Sequence, residues 1–157
     1  MKRVLQIEDT SHHVFLHVAE VLAQLEPEAR ALHWSVLDLG EAFAPEGSDL
    51  DVLAIERRVE ESPTGLHLSY DELARLAARL QQVVDGLFVG CADAGDVPAR
   101  HDADAVIIER AVMVVAAIDS TFWLVSAPDA VLARIHARFE RVTEQDASAV
   151  ALSTGAR

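Results

Sequence analysis

The sequence predicts a single α+β domain, with a mixed or antiparallel sheet of about four or five strands covered by about four helices. Three observations support this fold class. The chain has 157 residues, the length of one domain. Amphipathic helical stretches and short apolar runs of strand length both occur, and they do not follow a strict βαβ rhythm. We place the domain at residues 1–143 and a frayed tail at 144–157, where no periodic apolar pattern continues.

Helix signals occur at three places. Asp9–Ser11 are good caps for a helix that ends near Leu25. Ser69 with Glu72 forms a capping box, followed by an apolar stripe that reaches Val84 before Asp85–Gly86 ends the helix. Pro128–Asp129 opens a last helix, whose stripe runs to Phe139.

Strand signals occur between these helices. Residues 32–39 alternate, with Leu32, Trp34 and Val36 on one face and His33, Ser35 and Leu37 on the other. Residues 87–91 form a short apolar run, and 112–118 are typical of a strand buried on both sides. Asp119–Ser120 then predicts a hairpin turn before a returning strand at 121–126. Two stretches stay open: 50–61 fits a helix or a strand, and 104–110 fits a strand or one short helix.

The charge is the strongest evidence on function. The chain has 26 Asp and Glu against 13 Lys and Arg, a formal net charge of −13. Such a surface repels nucleic acid phosphates and anionic lipids, and it attracts basic proteins. No stretch approaches the roughly 20 apolar residues of a membrane span. The single cysteine, Cys91, excludes an intrachain disulfide and fits a reducing cytoplasm.

No motif predicts an enzyme or a cofactor. His13 and His17 are spaced i, i+4, with Glu20 one turn later, a spacing that can hold a metal. The sequence supplies no obvious further ligand, so we expect no metal there and a solvated helix flank instead. Ser120 lacks the G-x-S-x-G elbow of a catalytic serine. Cys91 lacks a basic neighbour and is expected to be a small buried hydrophobe.

Acidic and aromatic residues supply the candidate partner-binding surface. The acids beside the first predicted strand either form a solvated rim or meet arginines and lysines of a partner. A tryptophan ringed by acids has the composition of an interaction hot spot, although a core position is favoured for each ring taken singly. The predicted surface consists of Trp34, Asp38, Glu41, Glu46, Asp49, Asp51, Asp119 and Trp123.

The segment Val114–Val125, followed by Pro128–Asp129 and the helix to Phe139, has an apolar strand, Asp-Ser, an aromatic-Trp strand and a terminal helix. Together with Gly65–Leu73, this pattern resembles small bacterial α+β proteins of the toxin-immunity kind. The resemblance implies a non-enzymatic protein that neutralises a basic toxin domain, often a nuclease, by tight binding. No site residue is taken from it.

Three functional hypotheses follow from the sequence. The favoured hypothesis is an acidic, immunity-like protein that occludes a basic protein partner. The first alternative is a structural or regulatory subunit that pairs with a second copy of itself, through a sheet edge or an apolar helix face. The second alternative is a metal-dependent enzyme or small-molecule binder that uses His13 and His17.

Overall fold

The computed structural model describes residues 2–9 and 15–153. In these residues the chain forms one open antiparallel sheet of seven strands and five α-helices. The strands are β1 (Val4–Ile7), β2 (His33–Phe43), β3 (Leu66–Leu68), β4 (Gln82–Cys91), β5 (Met113–Ile118), β6 (Phe122–Ser126) and β7 (Val142–Gln145). The helices are α1 (Val18–Ala23), α2 (Val52–Glu60), α3 (Tyr70–Arg79), α4 (Asp104–Arg110) and α5 (Asp129–Arg138).

The strand order across the sheet is β3-β2-β4-β5-β6-β1-β7. The α+β class is therefore as predicted, but the element counts were wrong, because the described residues hold seven strands and five helices rather than four or five strands and about four helices. The additional strands are β1, β3 and β7, of three or four residues each. Segments this short show no readable alternation, and they become strands by pairing with neighbours distant in sequence.

Both faces of the sheet are covered. One face carries α1, α2, α3 and α5 over a large core that includes Trp34, Phe88 and Val115. The other face carries α4 and the chain after β7, packed on a second core that includes Leu87 and Val114. Strands buried on both faces are expected to be apolar at every position, and all six residues of β5 are buried.

The two stretches that the sequence left undecided between helix and strand, 50–61 and 104–110, both form helices. Asp51 is the N-cap of α2, where its carboxylate accepts a hydrogen bond from the Ala54 N–H at 3.0 Å. Residues 104–110 form α4. The helix predicted to reach Val84 ends earlier, at Arg79, because Val83 lies in β4 opposite Ala42 of β2 and is buried there.

Two local predictions are confirmed. The Ser69 hydroxyl accepts from the Glu72 N–H at 3.1 Å, and the Glu72 carboxylate accepts from the Ser69 N–H at 3.3 Å. This capping box starts α3. Asp119 and Ser120 have φ angles of 49° and 55°, and the Thr121 N–H donates to Ile118 O at 2.9 Å. Positive φ at both central positions marks the type I′ turn that joins β5 to β6.

The first helix and the tail differ from the expectation. The first helix begins at Val18 rather than near Ser11, and residues 10–14 lie outside the described part. Residues 144–153, part of the segment predicted to be frayed, continue through β7 and pack on the second core, where Leu152 is buried. The Leu152 N–H donates to the Asp104 carboxylate at 3.0 Å, which fastens this segment to α4.

Within the described ranges, no helix has the length and apolar character needed to cross a membrane.

Candidate functional site

Acidic side chains from four elements meet at one end of the sheet. Glu41 of β2 lies directly opposite Asp85 of β4 in the strand register. The Asp85 carboxylate accepts a hydrogen bond from the Asp119 N–H at 3.0 Å, so the β5–β6 turn joins the same end. We call this surface, with Glu56 and Glu60 of α2, the acidic edge: Glu41, Glu56, Glu60, Asp85 and Asp119.

Helix α2 brings two more carboxylates to the acidic edge. Glu56 lies close to the backbone of Ala42 in β2, at the side of the sheet that α2 covers. Partial burial raises the pKa of Glu56 above its usual value, and the charges of Glu60 and Glu41 raise it further, against the opposing effect of the Ala42 backbone. Glu41 and Glu60 are both exposed.

Most of this negative charge is not neutralised locally. In residues 2–9 and 15–153, neither Glu41, Glu56 nor Glu60 forms an ion pair with an arginine or lysine. Like charges directly opposite each other on adjacent strands destabilise a sheet by up to about 1 kcal/mol. Repulsion between Glu41 and Asp85 therefore opposes folding at this end of the sheet, and no ion pair among the described residues compensates the charge of the three glutamates.

A buried arginine holds the two main elements of the acidic edge together. Arg100 is only 8% exposed. Its Nε donates to Leu37 O at 2.7 Å and its Nη1 donates to Glu60 O at 3.2 Å. Leu37 lies at a β-bulge of β2, where one residue has no partner on β4. Arg100 thus links the bulged strand to the C-terminal end of α2.

The other predicted acids have separate positions. Asp49 forms an ion pair with Arg79 of α3, and Asp51 caps α2, so both have structural roles. Glu46 is exposed in the turn before α2. Asp38 is half-buried on β2 opposite Leu87, before Glu41 on the same strand. Of the six acids predicted for the partner-binding surface, two, Glu41 and Asp119, lie at the acidic edge.

Both predicted tryptophans lie in the core. Trp34 has no exposed surface, and its indole N–H donates to Ala29 O at 2.9 Å. Trp123 is 5% exposed, and its indole N–H donates to Leu16 O at 3.2 Å. Buried indoles with satisfied N–H groups stabilise the fold and present no ring to a partner in this conformation. We therefore leave both out of the proposed surface.

Only His17 and Glu20 of the histidine arrangement in the first helix lie among the described residues. His13 lies outside the described residues. Glu20 accepts a hydrogen bond from the His17 N–H at 3.2 Å, which caps α1, and it lies 3.9 Å from Arg138. Among the residues that the structure describes, no group of three or more His, Cys, Asp or Glu side chains is placed to hold a metal ion.

Cys91 lies in the core, and Ser120 lies in the turn between β5 and β6. Cys91 is fully buried at the end of β4, and burial, followed by the charge of Asp96, raises the pKa of its thiol. A raised pKa disfavours the reactive thiolate. The Ser120 hydroxyl accepts a hydrogen bond from the Gln82 side chain at 2.7 Å, which ties the turn to β4.

Sequence reasoning missed three members of the acidic edge: Glu56, Glu60 and Asp85. Asp85 was assigned to the end of a helix, whereas it lies within β4. Glu56 and Glu60 are spaced i, i+4 on α2, and this spacing places them on one side of the helix. If residues 52–60 had been assigned to a helix, the sequence would have predicted that Glu56 and Glu60 lie on the same side of it. Their position beside Glu41 depends on tertiary packing and could not be predicted.

Comparisons with protein-family models, with curated proteins and with solved structures found no match to this chain.

The raised pKa of Glu56 predicts a pH-dependent effect of Glu56→Gln. A carboxyl whose pKa is raised by folding favours the folded state at low pH, and this contribution is lost as pH rises through the folded pKa. We expect the unfolding free energy of the glutamine variant to be about 0.5 kcal/mol higher than that of the wild type at neutral pH, because the variant removes a charge that partial burial and the Glu60 and Glu41 carboxylates disfavour. Urea denaturation at several pH values measures the difference, which should disappear below the ordinary glutamate pKa. A constant difference at every pH would contradict this explanation.

Proposed function

We propose that the protein is a non-enzymatic binding protein that docks a basic protein partner on its acidic edge, in the manner of an immunity protein that occludes a basic toxin or nuclease domain. One observation carries this proposal: Glu41 lies directly opposite Asp85, with Glu56 and Glu60 beside it. The folded chain retains a repulsive cluster that the arginines of a partner would neutralise.

The distribution of charge supports this choice of surface. The formal charge of −13 creates a field that speeds the arrival of a basic partner from any direction. Several other acids already form ion pairs within the protein: Glu28 with Arg134, Glu144 with Arg3, and Asp49 with Arg79. Among the described residues Glu41, Glu56 and Glu60 form no such ion pair, so arginines of a partner would compensate their charge on binding.

The rigidity of the acidic edge is a second support. Arg100 fixes the bulge of β2 and the end of α2, and the Asp85–Asp119 hydrogen bond fixes the turn. A surface that is ordered before binding loses less conformational entropy when a partner docks. A cytoplasmic location belongs to the same proposal, since the single cysteine forms no disulfide and is buried. The self-pairing and metal-enzyme hypotheses stay as alternatives without a specific supporting contact.

Affinity capture from the cell that encodes the protein tests the proposal. We expect the wild type to retain a protein of net positive charge at low salt, and Glu41→Gln/Glu60→Gln to lose most of it. The matched control is Asp96→Asn/Glu109→Gln, which also removes two negative charges from exposed positions but lies away from the acidic edge. Equal retention by both double variants, or retention of no basic protein at all, would refute the assignment.

A further inference from the structure

Two histidines meet at the opposite end of β2 from the acidic edge. His33 begins β2, and His67 lies in β3 opposite Ser35, so the two are diagonal neighbours on one face of the sheet. The distance between His33 Nε2 and His67 Nδ1 is 2.6 Å. Diagonal cross-strand neighbours are within reach of aromatic side chains, and these rings lie with centroids 4.9 Å apart.

A third side chain orients the pair. His67 Nε2 lies 2.8 Å from Thr64 Oγ1. When this nitrogen carries the proton and donates to the hydroxyl, His67 Nδ1 is left with its lone pair facing His33. Histidines that bind metals usually donate their second ring N–H to a carboxylate, a backbone carbonyl or water, which fixes the tautomer and the ring orientation, and the Thr64 hydroxyl oxygen can accept that hydrogen bond in the same way.

The surroundings of the pair favour a cation. The histidines line an open groove of about 560 Å³ together with Asp93, an exposed carboxylate that makes no ion pair with any described residue. Partial desolvation of the His67 ring, followed by the neighbouring His33, lowers the pKa of His67. Neutral imidazole is the form that binds metals, and the net negative charge of the chain attracts cations.

We propose that His33 and His67 form a two-histidine site for a late first-row divalent ion such as Zn²⁺, Ni²⁺ or Cu²⁺. Imidazole nitrogens suit these ions, whereas Mg²⁺ and Ca²⁺ prefer oxygen ligands. Zn–N distances near 2.0–2.1 Å in a tetrahedron separate two ligand nitrogens by about 3.3 Å, so the rings must part by about 0.7 Å. His67 is exposed and can make this movement.

Binding of the ion at this site neither releases nor takes up a net proton. The ion takes the lone pair of His67 Nδ1 and the nitrogen His33 Nε2, and the proton of His33 Nε2 moves through solvent to Nδ1 of the same ring. Water molecules complete the coordination, because no third protein ligand is placed beside the pair within the described ranges. The site goes beyond the proposed partner binding and does not depend on it.

Titration of the purified protein with ZnCl₂, followed by calorimetry and by the imidazole ¹⁵N resonances, tests this assignment. We expect one ion per chain, with His67 Nδ1 and His33 Nε2 as the shifted nitrogens. His67→Gln should weaken binding by about tenfold or more, and Thr64→Val, which removes the orienting hydroxyl, by about tenfold. His136→Gln, at an exposed position on α5, is the control and should bind as the wild type does.

Each other outcome contradicts the assignment. Absence of saturable Zn²⁺ binding to the folded wild type would overturn it. Binding that survives His67→Gln but is lost in His13→Gln would place the ion at the first helix instead. Far-UV circular dichroism of each variant shows whether it is folded, and His33→Gln provides an independent second test, because it removes the other ligand.

Discussion

Gly65→Ala is expected to destabilise the protein by about 3 kcal/mol or more, the largest loss expected among the glycines of the described residues. Gly65 precedes β3 and has a φ angle of 77°. A Cβ atom at this position would lie 2.1 Å from Val36 O and 2.8 Å from Val36 C. These are backbone atoms of β2, which cannot move without breaking the pairing of β2 with β3 and β4.

Gly47→Ala is the matched control for this substitution. Gly47 has almost the same φ angle, 80°, but nothing lies within 4 Å of a Cβ built on it. It should therefore lose only the conformational strain of about 1–2 kcal/mol. Urea denaturation compares the two variants. An equal loss of unfolding free energy in both would show that backbone strain, and not the contact with Val36, determines the effect.

Arg100→Ala is expected to lower the unfolding free energy by about 2–4 kcal/mol. The substitution leaves the carbonyls of Leu37 and Glu60 without their charged donor, in a place that is almost closed to water. A hydrogen bond from a charged group contributes about 1.5–3 kcal/mol, and the cavity left by the side chain adds to the loss. Arg57→Ala, which truncates an exposed arginine on α2, should change stability by less than about 0.5 kcal/mol.

Arg100 also connects stability to the proposed function. Because it fixes α2 against β2, its loss should loosen Glu60 relative to Glu41 even where the domain stays folded. Amide hydrogen exchange measures this directly: we expect faster exchange at 37–43 and 52–60 in Arg100→Ala than in the wild type. Unchanged exchange in these two segments would show that Arg100 stabilises the domain without organising the acidic edge.

Local signals predicted the local structure. Ser69 with Glu72 determines the start of α3, and Asp119 with Ser120 determines the β5–β6 turn, because in each case the stabilising contacts lie within a few residues. The strands β1, β3 and β7 could not be found in this way. β1 forms between β6 and β7, whose partner residues are more than 115 positions away.

The sequence also predicted only part of the candidate site, because distant segments of the chain form the rest of it. The charge excess predicted an acidic partner-binding surface, and two of its residues, Glu41 and Asp119, lie at the acidic edge. Asp85 was not predicted to belong to this surface. Val83 and Val84 continue the apolar pattern of α3, so the sequence gives no sign that β4 begins at Gln82. His33 and His67 are 34 residues apart, and only the pairing of β2 with β3 brings their rings together.

The association rate between the protein and its captured partner, measured against ionic strength, tests the central claim most directly. If the acidic edge steers and docks a basic protein, association by the wild type slows steeply as salt rises. At low salt we expect Glu41→Gln/Glu60→Gln to associate about three- to tenfold more slowly, and Asp96→Asn/Glu109→Gln to associate almost as fast as the wild type. Equal slowing in both double variants would assign steering to the net charge alone, and a rate independent of salt would contradict an electrostatic docking surface at the acidic edge.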